Sequence, residues 1–185
     1  TVNGLTISGA NAVVTGNTVN GPVTISGANV QFNDNIVTGT VTVNSNGNTL
    51  TGNNITSTGT YAVSINNARS DNTVTGNTLI ANGKYGDVAV SYNDANNNVV
   101  ENNLPVAEIE IDAPSVWIGN DNTITVTIVN GTGSVTIKVN DKEYTVDLTD
   151  GVASQEFAAE DFIAGVNTVE VTYNGGSFIP ANATT

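Results

Sequence analysis

Any chemistry in this chain has to come from few side chains. Its 185 residues include no Cys, Met or His. Thiol chemistry, disulfide staples, Cys/His zinc sites and any Ser-His or Cys-His nucleophile pair are therefore excluded. What remains is 17 acids against four bases, a formal net charge of −13. In the first half the ionisable residues fall in turns and inserts: Arg69 with Asp71, then Lys84, Tyr85 and Asp87, then Asp94. Cleaving a glycan on a β surface needs carboxylates or bases that converge on one face. Arg69, Asp71 and Asp94 fall on adjacent repeats and are the one group that could cluster, and an exposed turn ion pair is the simpler reading. Asp121, Asp141, Asp147, Asp150 and Asp161 raise the question of calcium. That ion needs about six to eight oxygens from fixed positions, and no spaced loop supplies them. Scattered acidity serving solubility is the default. The sequence assigns no catalytic residue, no metal ligand and no cofactor, and points to no enzyme.

Charge is uneven along the chain. Residues 1–105 carry five acids against Arg69 and Lys84, a net of −3, and residues 106–185 carry twelve against Lys138 and Lys142, a net of −10. Such a surface repels phosphate backbones, so nucleic acid is not an expected partner. Apolar runs are only a few residues long, so no membrane insertion is expected. Asn is dense before Leu104-Pro105 and sparse after it. This break sets an expected boundary between residues 1–105 and 106–185.

The elements of the first half come from a repeat. One half of each unit reads Leu5-Thr-Ile7-Ser, Val23-Thr-Ile25-Ser, Val41-Thr-Val43-Asn, Val63-Ser-Ile65-Asn and Val90-Ser-Tyr92-Asn. The other reads Val14-Thr-Gly-Asn17, Phe32-Asn-Asp-Asn35, Leu50-Thr-Gly-Asn53, Val74-Thr-Gly-Asn77 and Val100-Glu-Asn-Asn103. Val19, Val37, Ile55 and Leu79 follow two positions after the Asn. From Val14 the steps are 18, 18, 24 and 26 residues. Short strands at such a period predict a solenoid of about five rungs, with apolar residues inward and the intervening Thr or Ser outward. Parallel crossovers favour right-handed winding.

Asn suits the corners because it tolerates a left-handed backbone and can bond its own main chain. Stacked in register, its amides can also form a ladder. One structural Asn ladder is expected from Asn17, Asn35, Asn53, Asn77 and Asn103, and a second from Asn11, Asn29, Asn48, Asn72 and Asn98. The outward Thr6, Thr24, Thr42, Ser64 and Ser91 column also raises an ice-binding solenoid. Asn44, Asn66 and Asn93 interrupt the neighbouring column and argue against it. Three sequons permit glycosylation, at Asn54, Asn130 and Asn182.

The run Asn72 to Leu79, Asn-Thr-Val-Thr-Gly-Asn-Thr-Leu, resembles the right-handed parallel β-helix repeats of NosD-like and pectate-lyase-like proteins. The resemblance spans residues 1 to about 104 and implies fold rather than activity.

After Val106 the pattern changes to longer alternating strands at 106–113, 123–129, 134–139, 143–148, 152–157 and 167–173, with turns at Asn130-Gly131 and Asn140-Asp141. That spacing suits an immunoglobulin-like β-sandwich, with Trp117, Phe157, Phe162 and Tyr173 as its large core residues. The stretches from Gly133 to Val146, Asp150 to Ala153 and Gly165 to Gly175 resemble the Ig-like repeats of archaeal adhesin-like proteins, large surface proteins of methanogens that place β-helix repeats before Ig-like modules. In such repeats the segment like Phe178–Thr185 leads into a final strand, so the sandwich is expected to lack its last strand, either at a cut end or through donation by a neighbour.

The expected protein is all-β, a short right-handed parallel β-helix of about five rungs plus an Ig-like sandwich. Its expected role is a non-catalytic adhesin or stalk fragment at the extracellular cell surface. The resemblance implies as partners a surface glycan or a protein of another cell, together with neighbouring modules of a longer parent chain or adjacent subunits. Binding is expected at the loops Thr56–Tyr61 and Ala81–Asp87. The alternatives are a polysaccharide-active enzyme remnant, an ice-binding solenoid, and a filament subunit completed by strand exchange.

Overall fold

The period-2 alternation of the repeats puts one apolar column on one side of each short strand and a hydroxyl column on the other. A computed structural model describing residues 1–185 shows how these columns are stacked. The chain is all-β apart from three short 3₁₀ turns, and no helix is long and apolar enough to cross a membrane. It divides into two compact units, Thr1–Val106 and Ala107–Thr185.

In the first unit the chain visits three sheets in rotation. The first sheet contains Leu5–Ile7, Val23–Ile25, Val41–Val43, Val63–Ile65 and Val90–Ser91, in that order and all parallel. The second contains Val13–Thr15, Gln31–Asn33, Thr49–Thr51, Thr73–Thr75 and Val99–Glu101, also parallel. The third runs Thr18–Val19, Ile36–Val37, Asn54–Thr56 and Thr78–Ala81 in parallel, and then Lys84–Tyr85 pairs antiparallel with Thr78–Ala81. Every parallel pairing joins residues one repeat apart, an arrangement compatible with a β-helix.

The inward columns are closed to solvent. Val23, Ile25, Val41 and Val43 from the first sheet, Phe32, Leu50 and Val74 from the second, and Val19, Val37, Ile55 and Leu79 from the third are all buried in one cluster. Each contributes about 1.5–3 kcal/mol of burial. The longer repeats leave the sheets untouched, because most of their extra residues fall between Ile55 and Val63 and between Leu79 and Val90.

The second unit has two antiparallel sheets. One holds Glu110–Asp112, Asn122–Thr127 and Val152–Phe157; the other holds Lys142–Asp147, Gly133–Val139, Val169–Gly176 and Ala181–Thr184. Tyr144 of one sheet meets Phe157 of the other edge-on, with centroids 5.2 Å apart, and Ile124, Val126, Val135, Ile137, Val171 and Tyr173 are buried with Phe157.

Three expectations are corrected here. The segment expected to lead into a missing strand is itself a strand: Ala181–Thr184 pairs with Val169–Gly176, and Thr185 exchanges two backbone bonds of 3.0 Å with Val169. Ala-Asn-Ala-Thr has weak strand propensity, so pairing rather than local preference forms it. Trp117 is 86% exposed and lies outside the core. Asn140-Asp141 is a two-residue hairpin, whereas Asn130-Gly131 joins strands of different sheets.

Candidate functional site

The expected first ladder is continuous. Asn17, Asn35, Asn53 and Asn77 each donate both the backbone N–H and Nδ2 to Oδ1 of the Asn one repeat on, at 2.8–3.2 Å. Within the ladder Nδ2 also reaches a carbonyl of the previous repeat, as Asn53 does with Phe32 and Asn77 with Leu50. Asn35, Asn53, Asn77 and Asn103 are buried, while Asn17 is exposed. The left-handed backbone sits one residue earlier, at Gly16, Asp34, Gly52, Gly76 and Asn102. Turn-making and ladder-making are thus divided between neighbouring residues.

Asp87 ends this ladder. Asn103 donates its N–H (2.9 Å) and Nδ2 (2.6 Å) to Asp87 Oδ1, which stands where the next amide oxygen would be. Asp87 lies in the 3₁₀ turn Gly86–Ala89, delivered by the Thr78–Ala81 and Lys84–Tyr85 hairpin.

The expected second ladder is corrected by one residue. Asn48, Asn72 and Asn98 form it, and Val30 N–H feeds it by donating to Asn48 Oδ1 at 2.9 Å. Asn11 and Asn29 sit one position earlier, in a left-handed corner column with Gly47, Asp71 and Asn97. They share only an exposed 3.3 Å bond. Counting back from Val14, Phe32 and Leu50 places Asn29 with Gly47, not with Asn48.

Arg69, Asp71 and Asp94 form no ion pair with one another. Arg69 forms no ion pair; the single ion pair in the chain is Lys138–Glu170 at 3.1 Å. Asp71 instead accepts from Asn97 Nδ2 and Ser70 Oγ at 2.8 Å each, and these donors lower its pKa. The loops expected to bind are tied to each other: Lys84 Nζ lies 3.7 Å from the Tyr61 ring centroid, and Asn82 N–H donates to Gly59 O at 3.2 Å. Asn54, Asn130 and Asn182 are all exposed.

A surface that sequence reasoning missed lies in the second unit. Segments 113–120 and 162–167 line a cleft of about 450 Å³. Trp117, Ile118, Ile163 and Val166 are exposed around it, Val166 at 91%. Hydrogen bonds from Asn side chains brace both segments. Asn122 Nδ2 donates to Pro114 O at 2.7 Å. Asn167 accepts Ile163 N–H and donates to Ile163 O, while Asn140 Nδ2 bridges Asn167 Oδ1 and Asp161 O. Trp117 O accepts Asn120 N–H, closing the first loop at Gly119, whose φ is 89°. The signal available in the sequence was apolar residues lying between strands, beside Pro and Gly.

Comparison with family models, with curated proteins and with solved structures returns no match for this chain.

Proposed function

We propose that the chain is a non-catalytic adhesive module of an extracellular surface protein. In this reading the first unit is a right-handed parallel β-helix of about five rungs serving as a stalk, and the second is an Ig-like sandwich presenting the adhesive surface. The observation that carries the reading is the braced cleft with Trp117 on its rim. Exposed aromatic and aliphatic side chains held on a braced frame mark an interaction surface and supply binding energy when covered. The Asn ladders support the stalk role, since they bond adjacent repeats along the unit. The tied loops at 56–61 and 81–87 make the cleft the better candidate contact. Any one contact would be weak, and repetition in a parent chain would supply avidity.

The test is a binding screen of the protein against cells and immobilised surface extracts, beside a Trp117→Ala variant. Adhesion should fall at least about tenfold, the scale of losing a buried interface aromatic. The melting temperature should not move, because the indole is 86% exposed. Equal adhesion by both proteins would remove the cleft as the contact surface.

A further inference from the structure

We infer that the cleft lined by segments 113–120 and 162–167 docks a cationic polypeptide segment with large apolar side chains, rather than a glycan. This rests on the adhesive reading above and specifies its ligand. A glycan stacked on an indole still needs free polar groups placed to orient its hydroxyls. Here Asn122 Nδ2 is engaged by Pro114 O, and Asn167 uses both Oδ1 and Nδ2 on the backbone of Ile163. No lining residue is charged, and the polar groups left over are those of Ser115 and Asn120 and the Oδ1 of Asn122. What the cleft offers is the Trp117 indole and the aliphatic surfaces of Ile118, Ile163 and Val166.

Charge selects among apolar partners. Acidic residues stand next to the lining in the chain, Asp112, Asp121 and Asp161, with Glu160 one position further; Asp121 and Asp161 accept backbone N–H bonds from Ala159 and Ala158 and keep their charge. Of the unit's two lysines, Lys138 is engaged by Glu170, and Lys142 follows Asp141 across the hairpin and lies over the Tyr144 ring. A second copy of this chain, itself carrying −13, is repelled. A segment that places apolar side chains in the cleft and Lys or Arg toward its acidic surround satisfies both features.

Trp117 is the sole tryptophan, so its fluorescence reports directly on occupancy. The probes are a short peptide of Lys and Leu, its Glu/Leu counterpart, and chitohexaose and cellohexaose. The Lys/Leu peptide should shift Trp117 emission to the blue, saturably, and more weakly in about 0.5 M salt. Val166→Asp, at an exposed position, should bind that peptide at least tenfold less tightly although it adds negative charge. Undiminished binding by Val166→Asp, or equal shifts with the Glu/Leu peptide, would overturn the inference. So would a concentration-dependent shift without any probe, which indicates a second copy. An oligosaccharide that shifts the emission when the Lys/Leu peptide does not would also overturn it, while leaving the adhesive reading standing. No shift from any probe overturns the inference, and with unchanged adhesion by Trp117→Ala it removes the cleft's adhesive role as well.

Discussion

At the scale of the residue, Asn77 does the work of a small network. The two hydrogens of its Nδ2 are shared among Leu50 O, Thr75 O and Asn103 Oδ1, and its Oδ1 accepts from both Asn53 N–H and Asn53 Nδ2. Asn77→Ala strands several of these groups away from water, at about 1–3 kcal/mol each before relaxation. Urea unfolding should show a loss of about 3–5 kcal/mol, whereas Asn17→Ala, at the exposed end, should cost about 1 kcal/mol or less. Asp87 offers a sharper comparison, because only its Oδ1 is used on Asn103. Asp87→Ala should expose the Asn103 amide to hydrogen exchange and cost about 2 kcal/mol. Asp87→Asn, which keeps an Oδ1 acceptor, should restore about half of that. Equal losses in the two variants would mean that the oxygen does not terminate the ladder.

At the scale of the element, the hairpin from Thr78 to Tyr85 and the 3₁₀ turn after it act as one cap. Gly86 is the joint. Its φ is +61°, and a Cβ there would stand 2.7 Å from both Asn103 O and Pro105 O, so the turn lies flat on the last repeat. Gly86→Ala combines left-handed strain with a backbone collision, and should cost about 2–3 kcal/mol and lower the melting temperature. Gly83 has a similar φ of +69° but open space around it. Gly83→Ala should therefore cost about 1 kcal/mol from conformation alone. A melting scan of both variants separates packing from backbone preference. In the second unit the loops show the reverse economy, with backbone bonds from Asn122, Asn140 and Asn167 holding side chains outward instead of inward.

At the scale of the whole molecule, charge and exposed apolar surface oppose each other. The formal charge of −13 keeps copies apart near neutral pH. The sequence pI is about 4.1. Near pH 4 the repulsion vanishes while the apolar rim at Trp117 and Val166 remains. Light scattering should therefore show association close to the pI and dispersal toward pH 7. Val166→Asp should reduce that association, and an undiminished response would place the sticky surface elsewhere.

The sequence by itself determined the local geometry of the first unit. Alternating Val-Thr-Ile runs force one apolar face, and the steps of 18, 18, 24 and 26 residues fix which strands lie side by side. The constant offset from Val14, Phe32, Leu50, Val74 and Val100 to the following Asn then stacks Asn17 through Asn103. These features are legible because each depends on residues close in the chain or on an exact repeat. The second ladder was legible too, but only from a column count that separates Asn29 from Asn48. Tertiary structure decided the rest. Asp87 becomes a cap only because a hairpin carries it back over Asn103, a pairing that no repeat encodes. Ala181–Thr184 becomes a strand because Val169–Gly176 offers it an edge. Trp117 reads as core by residue type, yet burial is a property of what lies above a side chain, and nothing in this chain folds over the indole.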